Sequence, residues 1–122
     1  MADELLQMLA AEADRRVPPF REGLKRIAGA SEPDRDAVEA LRVEIHGLKG
    51  AALVIGQDHL GALARRAEDA IAARLGAGTI GEDLAQQLGD AAEAFGEGAR
   101  AAAAGEHQPP SVAAAQAALP DD

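Results

Sequence analysis

The sequence predicts an all-α fold, an antiparallel up-and-down four-helix bundle with an extra N-terminal helix. Alanine and leucine are the main apolar residues, and only two of the 122 residues are aromatic, both of them phenylalanine. A core so poor in aromatic residues suits closely packed helices better than a sheet. Apolar residues also recur in steps of three and four, which is typical of amphipathic helices joined by short turns.

The first two helices are predicted on either side of a pair of prolines. Residues 2–16 place leucine and alanine near one face, and Val17, Pro18 and Pro19 interrupt this segment because proline removes a backbone donor. A second helix begins at the prolines, which the first turn of a helix tolerates, and ends near Gly29. We expect residues 2–16 to form the extra N-terminal helix.

The third helix has the clearest pattern. It begins in Ser31-Glu32-Pro33-Asp34, where Ser31 is a candidate cap and Asp34 favours the positive end of the helix dipole. Its apolar stripe advances in steps of 3, 4, 3, 4 and 3. The stripe consists of Val38, Leu41, Ile45, Leu48, Ala52 and Ile55. Gly56 follows the stripe directly and is the expected stop.

Two further helices complete the predicted bundle. The fourth carries apolar residues from Leu60 to Ile71 and ends before a glycine-rich turn. The last begins at Thr79-Ile80-Gly81-Glu82, which has capping-box spacing, and frays near Gly105. Residues 1–104 are therefore the predicted bundle domain. Residues 105–122, which hold three prolines, are predicted to be a disordered tail or linker.

The charge balance narrows the range of partners. Twenty-one acidic residues against 12 basic ones give a formal net charge of −9. This balance argues against a nucleic-acid surface and against docking on an anionic membrane. The chain has no cysteine and no long apolar run that would suggest a signal peptide or a membrane span. We expect a cytoplasmic monomer, because the bundle closes without a partner.

The candidate functional residue is His46, on the third helix. At 100° per residue, with Val38 at zero, the apolar stripe spans roughly 260° to 360° and His46 falls at about 80°. Lys49 falls at about 20° and Arg42 at about 40°, beside the histidine, while Gly50 falls at about 120° and Gly47 at about 180°. His46 should therefore point outward, between two basic residues and two positions without side chains.

The two glycines beside His46 oppose the local helix preference. Each mid-helix glycine costs about 0.5–1 kcal/mol relative to alanine. In an alanine-rich chain, Gly47 and Gly50 are best explained by a clear approach to the imidazole. A neutral imidazole is a good nucleophile and can accept a phosphoryl group, whose oxygens Lys49 could meet as a compact positive charge.

The stretch around His46 resembles the pattern of the histidine phosphotransfer (HPt) domain family. That pattern reads His-x-Leu-Lys-Gly, a small residue, a later glycine, and an apolar-Glu pair on the following helix. The matching segments are His46-Gly47-Leu48-Lys49-Gly50-Ala51, Gly56 and Ala67-Glu68. A motif of this length is specific. The family fold is an antiparallel four-helix bundle, often with an extra N-terminal helix.

The resemblance implies a role for each matched residue. His46 would be phosphorylated, Lys49 would assist phosphoryl transfer, and Gly50 would give the partner access. Glu68 matches a carboxylate that hydrogen-bonds the histidine in chemotaxis-type kinases, and a bond to the near ring nitrogen would leave the far one to react. The expected partner-access surface around His46 comprises Gly47, Gly50, Arg42 and Leu53, with Val54 beside Leu53.

The resemblance also implies the partners. A separate ATP-binding kinase domain would phosphorylate His46, and an aspartate of a response regulator receiver domain would then take the phosphoryl group. The chain has no glycine-rich nucleotide loop and no acidic cluster for Mg²⁺, so we expect no cofactor and no autonomous catalysis. Two alternatives stay open: a phosphotransfer (P1) domain excised from a chemotaxis-type kinase, and a non-catalytic helical adaptor.

The other histidines carry weaker signals. His59 is interpreted as a surface or cap residue, and His107 lies in the predicted tail. A metal site formed by His46, His59 and Glu68 is a minor alternative, because three ligands on two helices lack a spacing signature. We therefore expect no metal.

Overall fold

The computed structural model describes residues 2–120, and every regular element in this range is a helix. The predicted all-α helical bundle is confirmed. Four long helices form the bundle and a short fifth helix packs against it. Their bounds are α1 (Ala2–Ala28), α2 (Arg35–Ile55), α3 (Asp58–Ala72), α4 (Glu82–Ala103) and α5 (Pro110–Ala118). No helix within residues 2–120 has the length and apolar character needed to cross a membrane.

Side-chain pairs show that α1 and α4, the first and last of the long helices, run antiparallel. Arg100 of α4 donates to Asp14 of α1 at 3.1 Å, and Arg21 of α1 donates to Glu93 of α4 at 2.7 Å. Residue numbers therefore increase along α1 as those of the facing α4 residues decrease. The most extensive packing joins α2 to α3 and α1 to α4, and the contacts of α1 with α2 and of α3 with α4 close the bundle. The α5 helix lies against α3 and α4.

The predicted stripe of α2 faces the core. Val38, Leu41, Ile45, Leu48 and Ala52 are all buried, and Ile55 is partly buried at the end of the stripe. The stop at Gly56 is also confirmed. This residue has φ 84° and ψ 18°, and its N–H donates to the carbonyls of the last turn. Glycine suits this left-handed conformation because it has no Cβ.

The predicted break in α1 does not occur. The helix runs from Ala2 to Ala28 through Pro18 and Pro19, so the segment expected as a separate N-terminal helix is the first half of α1. Each proline lacks the N–H that would reach the carbonyl four residues earlier. Both prolines face solvent, whereas Val17 and Phe20 are buried. Packing of these flanking apolar residues therefore holds the helix together across the prolines.

The segment predicted as a disordered tail contains α5. Val112, Ala115 and Leu119 are buried against α3 and α4, and their steps of three and four follow a helical period. Gly98 of α4 makes room for Val112 and for Leu60 of α3, since a Cβ there would lie 3.1 Å from Val112 Cγ2 and 2.5 Å from Leu60 Cδ2. Docking of this apolar edge outweighs the loop-like composition of the segment.

Neither of two predicted caps, Ser31 and Thr79, forms in the structure. Asp34, rather than Ser31, caps α2: its carboxylate accepts a hydrogen bond from the Ala37 N–H at 3.0 Å. The α4 helix begins after Gly81 without a side-chain cap. Thr79, the expected cap, instead accepts a hydrogen bond from Arg74 at 2.9 Å. The Thr79 hydroxyl thus stabilises the loop before α4 by binding Arg74, and it does not cap the helix.

Candidate functional site

The α2 helix directs His46 away from the core, as its angular position predicts. Ile45 and Leu48, on either side of it in sequence, are 1% and 0% exposed. The His46 side chain is 60% exposed. Because both neighbours are anchored in the core, the orientation of the imidazole is set by the packing of the helix that carries it.

Three side chains of α2 converge on one carboxylate of α3, that of Glu68. His46 Nδ1 lies 2.9 Å from Glu68 Oε2, and Arg42 Nη1 donates to the same oxygen at 3.0 Å. Lys49 Nζ lies 2.6 Å from Glu68 Oε1. The structure therefore brings His46, Lys49 and Glu68 together, and it adds Arg42 to the same cluster.

The Glu68 carboxylate is almost enclosed, with a side-chain exposure of 10%. Burial alone raises the pKa of Glu68, but its contacts with Lys49 and His46 outweigh burial and hold the pKa below its usual range. Glu68 is therefore charged at neutral pH. A buried carboxylate is retained in a fold only when such partners compensate for its lost hydration.

This contact determines which nitrogen of His46 carries the proton. A carboxylate oxygen can only accept hydrogen bonds, so Nδ1 at 2.9 Å from Glu68 Oε2 acts as the donor. The neutral ring then keeps a lone pair on Nε2, the nitrogen away from Glu68. The arrangement matches the way a carboxylate fixes the tautomer of a catalytic histidine. In the neutral ring, this arrangement allows nucleophilic attack by Nε2.

Arg42, which is expected at the partner-access surface, also joins this cluster. Glu39, three residues earlier on α2, accepts two hydrogen bonds from Arg42, from Nε and from Nη2, both at 2.7 Å. The remaining Nη1 reaches Glu68. These hydrogen bonds raise the pKa of Arg42 further above its usual range, and Arg42 lowers the pKa of Glu39. Arg42 thus links Glu39 to the carboxylate beside the histidine.

The two glycines next to His46 have different surroundings. A Cβ at Gly50 would meet no atom within 4 Å, so the space beside this residue is open. At Gly47 the space is filled, since a Cβ would lie 2.8 Å from the Arg16 guanidinium of α1. Arg16 also donates to Glu44 of α2 at 2.7 Å. Gly47 therefore allows close contact between α1 and α2, whereas the clear approach expected beside the imidazole exists at Gly50.

Replacing Gly50 with alanine is expected to stabilise the protein. The added methyl group meets open space, and alanine in a helix interior is favoured over glycine by about 0.5–1 kcal/mol. Urea unfolding measures the gain. Gly47→Ala is the matched comparison, and its gain should be smaller because the Arg16 guanidinium must move. A loss of stability in Gly50→Ala would show that the surface beside His46 is less open than the structure has it.

Exposed apolar side chains lie on the same helix as His46. Leu53 is 49% exposed and its methyl groups rest over Gly61 of α3, while Val54 is 88% exposed. Both residues were expected there, whereas Val43, which is 50% exposed, was not. Val43 lies three residues before His46, so the two are neighbours on the helix surface. Its exposure could have been predicted from its angle, which lies outside the apolar stripe.

The remaining histidines take no part in the cluster. His59 is exposed near the start of α3, and His107 is exposed in the loop before α5. Among the side chains described in the structure, no group of three histidine, cysteine, aspartate or glutamate residues is placed to hold a metal ion. The geometry therefore gives no support to the weak metal alternative of His46, His59 and Glu68.

The charge of Glu68 predicts how stability depends on pH. Its pKa in the folded protein lies below the ordinary value of 4.5, so the unfolded chain takes up a proton first as the pH falls. Its contribution to the free energy of unfolding is complete above about pH 4.5 and is lost as the pH drops through the folded-state value. Urea unfolding of wild type and Glu68→Gln checks this. The difference between them at neutral pH should shrink in acid, and a constant difference would contradict the prediction.

Comparison with known proteins agrees with this geometry. The Hpt domain family matches residues 4–98, which include α2, α3 and most of α1 and α4. No curated protein and no solved structure shows a significant match to the chain. The family match covers more than half of the chain and contains the whole cluster around Glu68. The chain therefore belongs to the Hpt domain family, the histidine phosphotransfer modules of phosphorelays.

Proposed function

We propose that His46 carries the phosphoryl group in this relay, on its Nε2 atom. The observation that supports the proposal is the 2.9 Å contact between His46 Nδ1 and Glu68 Oε2, which places the proton of the neutral ring on Nδ1 and its lone pair on Nε2 of an exposed side chain. Nucleophilic attack requires the lone pair that this tautomer keeps. No other described histidine is held by a carboxylate in this way.

The reaction consists of two transfers. In the first, His46 Nε2 forms a bond to the γ-phosphorus of ATP held by a kinase domain, as the bond to the ADP oxygen breaks and ADP leaves. In the second, a carboxylate oxygen of a receiver-domain aspartate attacks the phosphorus, and the bond to Nε2 breaks. The Nδ1 proton stays on the ring in both steps. Glu68 stabilises the positive charge that develops on the ring as Nε2 bonds to phosphorus.

Lys49 is the proposed partner of the phosphoryl oxygens. It lies one turn after His46 on α2, and its ammonium is the compact, flexible kind of charge that can move to a new anion. Its present contact with Glu68 keeps it next to the ring. Gly50 then leaves room for the partner domain to approach.

The proposed partners are a kinase ATP-binding domain and the receiver domain of a response regulator. The exposed apolar side chains of Val43, Leu53 and Val54 suit docking of such domains beside His46. A donor domain that uses ATP also fits the cytoplasmic location expected from the sequence.

The test is phosphorylation from radiolabelled ATP by a panel of histidine-kinase catalytic domains. Wild type, His46→Gln and His59→Gln are compared, since His59 is a second exposed histidine on the neighbouring helix. Acid-labile, alkali-stable label on wild type and His59→Gln, absent from His46→Gln, is the expected result. Label of equal amount on His46→Gln would refute the assignment.

The next step chases the label onto receiver domains. Loss of label from His46 with gain on a receiver aspartate supports a relay. An adaptor without chemistry would instead bind its partners equally well as wild type and as His46→Gln, and would acquire no label from any kinase in the panel.

A further inference from the structure

Two cations contact the Glu68 carboxylate. Lys49 and Arg42 both contact Glu68, one at each oxygen, and His46 shares Oε2 with Arg42. The proposed function uses Lys49 on the phosphoryl group, away from Glu68. The role of the second cation, Arg42, is not explained by that function.

The two cations differ in how firmly they are held. Glu39 fixes the Arg42 guanidinium through two hydrogen bonds of 2.7 Å, which orient Nη1 towards Glu68. A guanidinium held in this fork loses little further freedom when it binds a second carboxylate. Lys49 reaches Glu68 from a flexible stem and through a single contact within the cluster. Arg42 is therefore the cation that can keep its contact with Glu68, and Lys49 is the cation that can break its contact and move.

A buried carboxylate without a counterion is costly. The Glu68 side chain is 10% exposed, so departure of a sole cation would leave its charge poorly solvated. Breaking a buried ion pair is expensive for this reason. Glu68 would then either hold Lys49 back from the phosphoryl group or draw a second proton onto the His46 ring. Both outcomes would block attack by Nε2.

We propose that Arg42 is a positioning residue, the permanent counterion of Glu68 that allows Lys49 to move to the phosphoryl group. This inference rests on the proposed function of His46. Arg42 does not touch the reacting atoms. It keeps Glu68 charged and against Nδ1 throughout the transfer, so that the ring retains one proton and Nε2 retains its lone pair.

The first test is ¹⁵N NMR of the His46 ring near neutral pH, which distinguishes the Nδ1–H tautomer from the doubly protonated ring. Lys49→Met should keep the Nδ1–H pattern, since Arg42 alone balances Glu68. The double variant Arg42→Gln/Lys49→Met should show the doubly protonated ring. A doubly protonated ring in Lys49→Met, or an unchanged pattern in the double variant, would overturn the proposal.

The second test is the rate of phosphorylation by phosphoramidate, a donor that needs no kinase. The bond from Nε2 to phosphorus forms as the donor's P–N bond breaks and ammonia leaves. Each single variant, Arg42→Gln or Lys49→Met, should react about tenfold more slowly, the equivalent of one lost charge-assisted contact. The double variant should lose far more than the product of the two single losses, because neither cation then balances Glu68 and the doubly protonated ring cannot attack phosphorus.

Arg16→Gln is the matched control. It removes an arginine that pairs with another glutamate of α2, Glu44, but makes no contact with Glu68. We expect its ring pattern and its rate to match wild type, and urea unfolding monitors the stability of every variant. Independent, multiplicative losses from Arg42→Gln and Lys49→Met would overturn the proposal and leave the role of His46 intact. A wild type that no donor phosphorylates would instead contradict the proposed function itself.

Discussion

Replacing Glu68 with alanine is expected to slow phosphorylation of His46 by roughly 10- to 100-fold, the range found when an outer partner of a functional histidine is removed. The reason is the loss of the hydrogen bond at 2.9 Å that holds the proton on Nδ1 and orients the ring. Without it both tautomers become populated, and the developing positive charge on the ring has no carboxylate beside it. Initial rates with a cognate kinase domain, or with phosphoramidate, measure the effect.

The control for this variant is its sequence neighbour, Asp69. Asp69→Ala removes an exposed carboxylate from the same turn of α3 and should leave the rate unchanged. Circular dichroism confirms that both variants remain helical. If Glu68→Ala were phosphorylated as fast as Asp69→Ala, the carboxylate would have no role in orienting His46.

Replacing Phe95 with alanine is expected to lower the free energy of unfolding by about 3–5 kcal/mol, the usual cost of truncating a buried phenylalanine. The Phe95 side chain is fully buried on α4. Alanine is the most frequent residue of this core, and short side chains cannot move to fill the space that the ring leaves. A loss of this size is a large part of the stability of a typical small domain.

Urea unfolding followed by far-ultraviolet circular dichroism measures the loss. Phe95→Leu should lose less, because leucine fills more of the space. Val54→Ala truncates an apolar residue that is 88% exposed, and its stability should stay within about 0.5 kcal/mol of wild type. Similar losses in Phe95→Ala and Val54→Ala would contradict the placement of Phe95 in the core.

The fold could be predicted where local pattern and tertiary packing agree. The α2 stripe and the stop at Gly56 follow from spacing and from the backbone freedom of glycine, and both are confirmed. The prediction that the helix breaks at Pro18 was wrong, because packing of the flanking apolar residues outweighs the local cost of proline. The α5 helix was missed because its apolar edge lies among prolines and small residues that resemble a linker.

The candidate site was predictable to a similar degree. The outward direction of His46 followed from rotation along one helix, which a single sequence determines. The approach of Glu68 came only from the family resemblance, because the offset between α2 and α3 cannot be obtained from the two stripes alone. Arg42 was placed in the access surface, yet its angle of about 40° is close to the 20° of Lys49, and this nearness was the available signal that both face α3. The roles of these residues in transfer stay predictions.

The chain's two aromatic residues, Phe20 and Phe95, are both sealed in the core, and the sequence contains neither tryptophan nor tyrosine. The protein consequently has almost no intrinsic fluorescence, because it lacks the tryptophan and tyrosine side chains that emit most strongly. A tryptophan placed at the half-exposed Val43 would be the sole fluorophore and would sit one helical turn from His46. Its emission would then report directly, and without background from the domain, when another protein covers that face.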